Sequence, residues 1–552
     1  MKRKLLFIPL VLLALLSIHA SKRDFTLVRD TEILINMMRA LNEHYVDSLS
    51  SNQLLKDATN GMSKSLDPYT TYIDEEQMAD FEIMTTGKYG GIGAVIRQDN
   101  DYVIVAQPYK GSPSDKSGLL IGDKILSIED EDGKGMTTKD VSDRLKGTPG
   151  SSVKIVVSSV IDSTEREVTI RRERISIPAI PYAGMVNDSV AYLNHSDFTE
   201  GGFEQMRSEL KRLESQGMRS LILDYRSNGG GIMQEAIKVL SLFVPKGSEV
   251  LKIKGRRDST IYRTTNEPLY PNMPIVTLID GNSASAAEIV VGAMQDMDRA
   301  VLIGQRSFGK GLVQSTVPIG FDSYLKLTTA RYYIPSGRCI QEMDYSDHSD
   351  NREVGKMADS LRNEFLTVGG RKVYDGGGIT PDIKFDAEYV SRFAATLYAE
   401  GHIEKWGENY YRKHHREPID LDTFDLTDED FEDFKALVSD RKINYKSQTS
   451  RAITALEKAA EEDRNEELME ELKRLKEGLK DDTKSNLERY KREIMNYMRQ
   501  DYVLRRGYAE GVIRNSLKRD STVLRALDLL NSEGQIEQIL TVSVTDDSNE
   551  VK

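Results

Sequence analysis

Two apolar runs, each ending in a loop of small residues, constrain this chain most. Ser220 to Asp224 (SLILD) leads into Asp224-Tyr225-Arg226-Ser227-Asn228-Gly229-Gly230-Gly231, and a helical stretch follows through Phe243. Pro274 to Asp280 leads into Gly281-Asn282-Ser283-Ala284-Ser285, and a helical pattern runs on to about Gln295. Both runs read as buried strands. Val190–Leu193, Ala300–Gly304, Leu312–Pro318 and Tyr324–Ile334 add strands, and Phe203–Ser215 adds an amphipathic helix. Strands alternating with helices need crossover connections, so an α/β core with a mostly parallel sheet is predicted.

The flanks have other textures. Met1 to Lys4 is basic, Leu5 to Ile18 is nearly all apolar, and Ala20-Ser21 is small. That pattern reads as a secretory signal over 1–20. It is short for a membrane span, which needs about 20 apolar residues. An uncleaved anchor is the competing reading, because Ile18 and His19 make a poor cleavage site. Residues 24–84 are helical, and the three-and-four spacing in Thr31–Val46 predicts one buried face. Residues 85–172 form a β-rich module opened by Tyr89-Gly90-Gly91-Ile92-Gly93. The core spans 173–386, a charged helical extension 387–542 and a disordered tail 543–552. The dense Glu, Lys and Arg of Ala452–Lys480 predict a solvated amphipathic helix or helical hairpin. The expected fold class is therefore α+β and α/β multidomain: an N-terminal helical segment, a β-rich domain, an α/β core and a C-terminal helical extension.

Composition narrows the chemistry. A net charge of -13 over 552 residues argues against nucleic acid as the main partner. One cysteine excludes an internal disulfide and a Cys-rich metal site. Seven histidines make a His-based centre a poor candidate.

Ser285 lies where a buried strand turns into a helix, the edge at which α/β proteins place ligands. The helix N-terminus offers backbone N–H groups for an oxyanion. Ser285-Ala286-Ala287-Glu288 equally fits a capping box, in which the serine only caps the helix. A nucleophilic serine needs a base. No histidine falls on a motif loop, and Lys310 in Ser307-Phe308-Gly309-Lys310-Gly311 is the alternative. It serves only when neutral, which burial favours; the apolar Phe308 beside it is placed to exclude water. Gly304–Lys310 also has phosphate-loop spacing. Position 311 is glycine rather than Ser or Thr, however, and a strand-like segment follows instead of a helix. Asn228 to Gly231 is a second loop whose amides suit an oxyanion or a plain anion-binding turn.

Taken together, DYRSNGGG, GNSASAAE, SFGKGLVQ, Leu66-Asp67-Pro68 and Gly376-Gly377-Gly378-Ile379-Thr380-Pro381-Asp382 resemble the carboxy-terminal processing (tail-specific) peptidases, a branch of the S41 serine peptidases. The resemblance covers about Thr31 to Asp382. It implies Ser285 as nucleophile, Lys310 as general base and Gln314 as its supporting residue. On a strand, a separation of four puts Lys310 and Gln314 on the same face. It further implies an oxyanion hole from the backbone N–H groups of Gly230 and Ala286. The β-rich module resembles a PDZ domain, in which Gly91, Ile92 and Gly93 would capture a substrate's C-terminal carboxylate, or which retains only a weakened or regulatory groove.

The implied protein is an exported serine endopeptidase of the periplasm or cell envelope, without metal or organic cofactor. Its partners would be proteins or peptides with accessible C-termini. Membrane contact would come only through the N-terminal signal or anchor. The C-terminal helices leave adaptor binding, self-association and substrate caging open. The rival reading is a noncatalytic PDZ scaffold or periplasmic chaperone on the same fold. Tyr225, Ser227 and Gly229 depart from the family's usual L-R-G-N-P-G-G loop. Cys339 stands where Ser or Thr is common and reads as structural.

Overall fold

A computed structural model describes residues 7–343, 345, 359–386, 390–439, 441, 443–479 and 482–541; for 7–24 and for Ala79 it describes the backbone path alone. The tail 543–552, the junction near 387 and the first six residues of the signal lie outside the described residues. The chain divides into two units.

The smaller unit takes in the chain up to Ala79 and Leu312–Ala330. A helix runs over Phe7–His44, and a second over Ser51–Lys64, whose N-cap Ser50 accepts from Gln53 N–H. The expected buried face over Thr31–Val46 is not found: Ile33 is 58% and Val46 88% exposed. Between Phe25 and Tyr45 only Met38 and Leu41 are half-buried, and among the described residues of its own unit most of this helix has no cover. Leu66-Asp67-Pro68 is a turn, closed by the Asp67 carboxylate, which accepts from Tyr69 N–H, Thr70 N–H and Thr70 Oγ1. The strand Thr71–Ile73 pairs antiparallel with Ser323–Tyr333, which also pairs with Leu312–Gly320. Phe321 and Asp322, both at positive φ, make the turn of that hairpin.

The larger unit holds three bodies. In the β-rich domain, Ala94–Asp99, Tyr102–Pro108, Lys124–Ile128, Ser152–Ser158 and Glu165–Arg171 form an antiparallel sheet in that order. Alternation drives it: Val153, Ile155 and Val157 point inward and are fully buried with Val103, Val105 and Ile125. Ala94–Asp99 is an edge strand.

The central sheet has the order Tyr182–Met185, Val190–Asn194, Ser220–Asp224, Ile275–Ile279, Val301–Gly304, Ile383–Lys384. Only the first pair is antiparallel. Every residue of Ser220–Asp224 and Ile275–Ile279 is buried, as expected of parallel strands covered on both faces. One cover comes from far along the chain. Val523, Ala526 and Leu529 of the helix Ser521–Asn531, with Ile536 of Gln535–Thr541, pack on Ile222, Val276, Leu278 and Ile303. The end of the C-terminal extension is thus part of the core of the α/β body.

The remaining C-terminal helices have their own core around Phe393, Trp406, Phe431, Phe434 and Met498. The helices Gln448–Glu462 and Glu466–Gly478 form a hairpin with a small core of Ile453, Ala460 and Leu472. The helix Lys491–Ser516 kinks at Tyr508. There Tyr508 donates to Asp115 Oδ1, and Arg505 donates to the Ile121 carbonyl, so this region grips the β-rich domain by polar contacts.

Candidate active site

Ser285 ends the loop after Ile275–Ile279 and precedes the helix Ala286–Asp296. Its φ of 57° and ψ of -116° are rare for a residue with a side chain, and such strain clusters at functional sites. Two loops are stitched together beneath it. Ser283 Oγ donates to the Tyr225 carbonyl, Ala284 N–H to the Asn228 carbonyl, and Ser227 N–H to Asp280. These bonds bring Gly230 against Ser285. A Cβ on Gly230 (φ +104°) would lie 2.7 Å from Ser285 Cβ and 2.9 Å from Ala286 N, so only glycine fits.

Gly230 and Ala286, the two residues implied for an oxyanion hole, are therefore adjacent. The Gly230 N–H donates to Asn228 Oδ1 at 2.9 Å, while Asn228 Nδ2 donates to the His195 carbonyl at 2.7 Å. The amide is occupied from within the loop. The departures from the family pattern have local accounts. Ser227 sits at φ 58°, where the family's glycine would be comfortable, and its hydroxyl donates to Asp280 Oδ2. Gly229 faces open space. Tyr225 is fully buried beside Phe198 and His195. Burial pushes the His195 pKa down to about 3, which keeps the ring neutral.

Lys310 is half-buried and lies two residues before the strand Leu312–Gly320. It is not on that strand, so the same-face argument for Lys310 and Gln314 does not hold. Gln314 lies in the smaller unit, where its amide donates to Thr328 Oγ1 at 3.3 Å. Phe308 is 45% exposed and shields the loop less than its apolar character suggests.

Two side chains the sequence reading missed join the Ser285 and Lys310 segments. Glu288 is fully buried. Its Oε2 accepts Ser285 N–H at 2.8 Å and Lys310 N–H at 2.9 Å; its Oε1 accepts Ser307 Oγ at 2.5 Å and Gly309 N–H at 2.7 Å. Desolvation pushes its pKa up to about 7 against the pull of these donors. The buried Tyr332 hydroxyl points at the carbonyls of the same two residues, Ser285 at 3.2 Å and Lys310 closer still. The capping-box position of Glu288 was legible; its second grip, on residues 307–310, was not. Ser307 Oγ also accepts Ile379 N–H, which ties the GGGITPD segment to the site. Cys339 is half-buried, and burial raises its thiol pKa, consistent with a structural role.

In the β-rich domain Gly91 ends the strand Lys88–Gly91, which pairs antiparallel with Glu173–Ser176, and Ile92 enters the domain core. Gly93 (φ +77°) has its carbonyl held by Tyr109 N–H and by the hydroxyls of Ser112 and Ser114. A Cβ there would lie 2.5 Å from Ser112 Cβ.

Residues 189–347 match the model of peptidase family S41, residues 104–158 that of a PDZ domain, and residues 393–530 that described as a probable PDZ-protease C-terminal helical domain. A carboxy-terminal-processing protease of Bartonella bacilliformis is 35% identical over 312 residues, which span 55% of this chain and 71% of that protein. A probable CtpA-like serine protease of Staphylococcus aureus is 32% identical over 308 residues, 55% of this chain and 61% of that protein. The solved photosystem II D1 C-terminal processing protease is 25% identical, with 65% of this chain and 93% of that chain covered and a TM-score of 0.35. The family-model matches and the two sequence relatives, with the PDZ domain and the α/β core, define a serine-type peptidase. The chain belongs to peptidase family S41, among the carboxy-terminal processing peptidases.

Proposed function

We propose that the chain is an exported endopeptidase that cleaves proteins near their C-termini with Ser285 and Lys310. The observation that carries this reading is the pair of bridges, Glu288 and Tyr332, that hold the backbones of both residues in register beside Gly230. Ser285 Oγ attacks the scissile carbonyl while its proton passes to neutral Lys310 Nζ. The C–N bond then breaks, and Lys310 returns that proton to the leaving amine. Water attacks the acyl-serine and gives a proton to Lys310; the ester C–O bond then breaks as Lys310 returns that proton to Ser285 Oγ, which releases the new C-terminal acid. Gln314 supports Lys310. The developing oxyanion takes Ala286 N–H and Gly230 N–H, the latter exchanging Asn228 Oδ1 for substrate oxygen.

The PDZ domain holds the substrate end. The Gly91-Ile92-Gly93 turn receives the carboxylate, and the peptide pairs with the edge strand Ala94–Asp99. Support comes from the fixed Gly93 carbonyl and the exposed edge. Export rests on the N-terminal sequence, with the periplasm or cell envelope as the destination.

The test is incubation of the full chain with an unfolded protein, read by mass spectrometry for new C-termini. The parent produces them, whereas Ser285→Ala and Lys310→Ala do not. Cleavage by either variant at the parental rate overturns the mechanism. Cell fractionation and the mature N-terminus test export.

A further inference from the structure

We propose that Asp520, in the C-terminal helical region, is a positioning residue for the glycine loop beside Ser285. The proposal rests on the Ser285–Lys310 reading above.

The loop needs fastening. Ser227, Gly230 and Gly231 all have positive φ, and three consecutive glycines leave the backbone free to wander. Ser227 N–H is held by Asp280, the Asn228 carbonyl by Ala284 N–H and the Gly230 carbonyl by Phe198 N–H, and Arg226 anchors the start of this stretch. Its Nε lies 3.0 Å from both oxygens of Asp224, and its Nη2 lies 2.6 Å from Asp224 Oδ2 and 2.8 Å from Asp520 Oδ2. Asp224 is itself fixed, accepting from Tyr192 OH at 2.7 Å and from Arg226 N–H at 2.9 Å. The guanidinium thus bridges two carboxylates that are 294 residues (Asp520) and two residues (Asp224) away in sequence.

Asp520 does two things with two oxygens. Oδ1 caps the helix Ser521–Asn531 by accepting Thr522 N–H at 2.9 Å and Val523 N–H at 3.1 Å. Oδ2 takes Arg226. The capped helix is anchored, because Val523, Ala526 and Leu529 are buried against the central sheet. The carboxylate therefore holds Arg226 from a fixed point. With side chains only 26% and 20% exposed, the pair is partly desolvated and stronger than a surface ion pair. Without Asp520, Arg226 keeps Asp224 alone and loses its tie to the capped helix Ser521–Asn531. The slack falls on Ser227–Gly231, whose Gly230 must stay against Ser285 and Ala286; small misplacements there are costly to catalysis.

The two jobs separate experimentally. Asp520→Ser keeps a good N-cap but is too short to reach Arg226. We expect its thermal midpoint to stay within about 2 °C of the parent, kcat to fall about ten-fold and KM to stay within about two-fold. Hydrogen exchange over 227–231 should quicken about ten-fold. Asp482→Ser, at another Asp-capped helix, leaves both readouts unchanged. If Asp520→Ser is unstable, Asp520→Asn keeps cap and shape while removing the charge. Parental kcat with parental exchange in the folded variant overturns the proposal, as does an equal loss in Asp482→Ser. A parent no faster than Ser285→Ala defeats the serine mechanism instead, and the exchange measurement still decides the Asp520 link.

Discussion

Glu288 holds Lys310 by its backbone: Oε2 accepts the lysine N–H at 2.9 Å, and the same oxygen accepts Ser285 N–H at 2.8 Å. One buried carboxylate thereby sets the spacing of two loops that are 25 residues apart in sequence, as read from their positions. Three backbone N–H groups and one hydroxyl converge on it, and of these only Ser307 Oγ could accept from a protonated carboxyl.

The pH dependence follows from that arrangement. Burial raises the Glu288 pKa from 4.5 to about 7. The folded chain then binds this proton more tightly than the unfolded chain, so the ionised group costs stability above pH 7. Relative to Glu288→Gln, the parent should gain stability as pH falls from about 7 towards 5, while its kcat/KM falls over the same range. Thermal midpoints and kcat/KM of both proteins across pH 5.5–9 check this. A parent that loses stability relative to Glu288→Gln in step with activity would sink the assignment. At pH 8 the Gln variant should lose about 10–100-fold in kcat, since a hydrogen bond to a charged group contributes about 1.5–3 kcal/mol. Any acid limb that remains in it belongs to another group, which the proposed mechanism identifies as Lys310.

Tyr332→Phe tests the second bridge. The ring volume is kept and the site stays packed, but the carbonyls of Ser285 and Lys310 lose their shared donor. A neutral hydrogen bond contributes about 0.5–1.5 kcal/mol, so kcat should fall about 2–12-fold with KM little changed. A rise in KM at constant kcat would place Tyr332 in substrate binding instead.

The sequence carried much of this and missed identifiable parts. The strand–loop–helix units around Ser285 and Asn228 were legible because parallel α/β folding writes apolar runs and small-residue turns into contiguous stretches. The bridges were not, because Tyr332 meets Ser285 across 47 residues with no local pattern to mark it. Placing Lys310 and Gln314 on one face treats Lys310 as part of a strand that reads from Leu312, and the strand does begin at Leu312. Glu288 holds the backbone N–H groups of Gly309 and Lys310 just before that start. The role of the last helices was half-written. SLILD and IVTLI are apolar on alternate as well as adjacent positions, and such strands demand two covers, but nothing in them says that one cover comes from residues 521–541.

That cover gives a contrast in stability. Leu529 is buried against the central sheet, whereas Leu475 on the helical hairpin is 60% exposed. Leu529→Ala should destabilise the α/β body by about 2–5 kcal/mol, and Leu475→Ala should stay within about 0.5 kcal/mol of the parent. Denaturant melts followed by loss of peptidase activity separate them. Equal effects would mean that the last helices are dispensable to the core.

Gly230→Ala is the sharpest steric test of the site. Its φ of +104° is strained for any L side chain, and the new Cβ would press on Ser285 Cβ at 2.7 Å and on the Ala284 carbonyl oxygen at 2.8 Å. Neither neighbour can retreat: Ala284 is tied to Asn228, and the Ser285 backbone to Glu288. The loop must therefore shift, carrying one of the proposed oxyanion donors with it. Loss of one such donor costs about 10²–10³ in kcat, and Gly230→Ala should lose at least that much. Gly229→Ala, which meets open space, should keep kcat within about ten-fold of the parent, the difference reflecting backbone freedom alone. Comparable kcat in the two variants would show that the close approach of Gly230 to Ser285 has no part in cleavage.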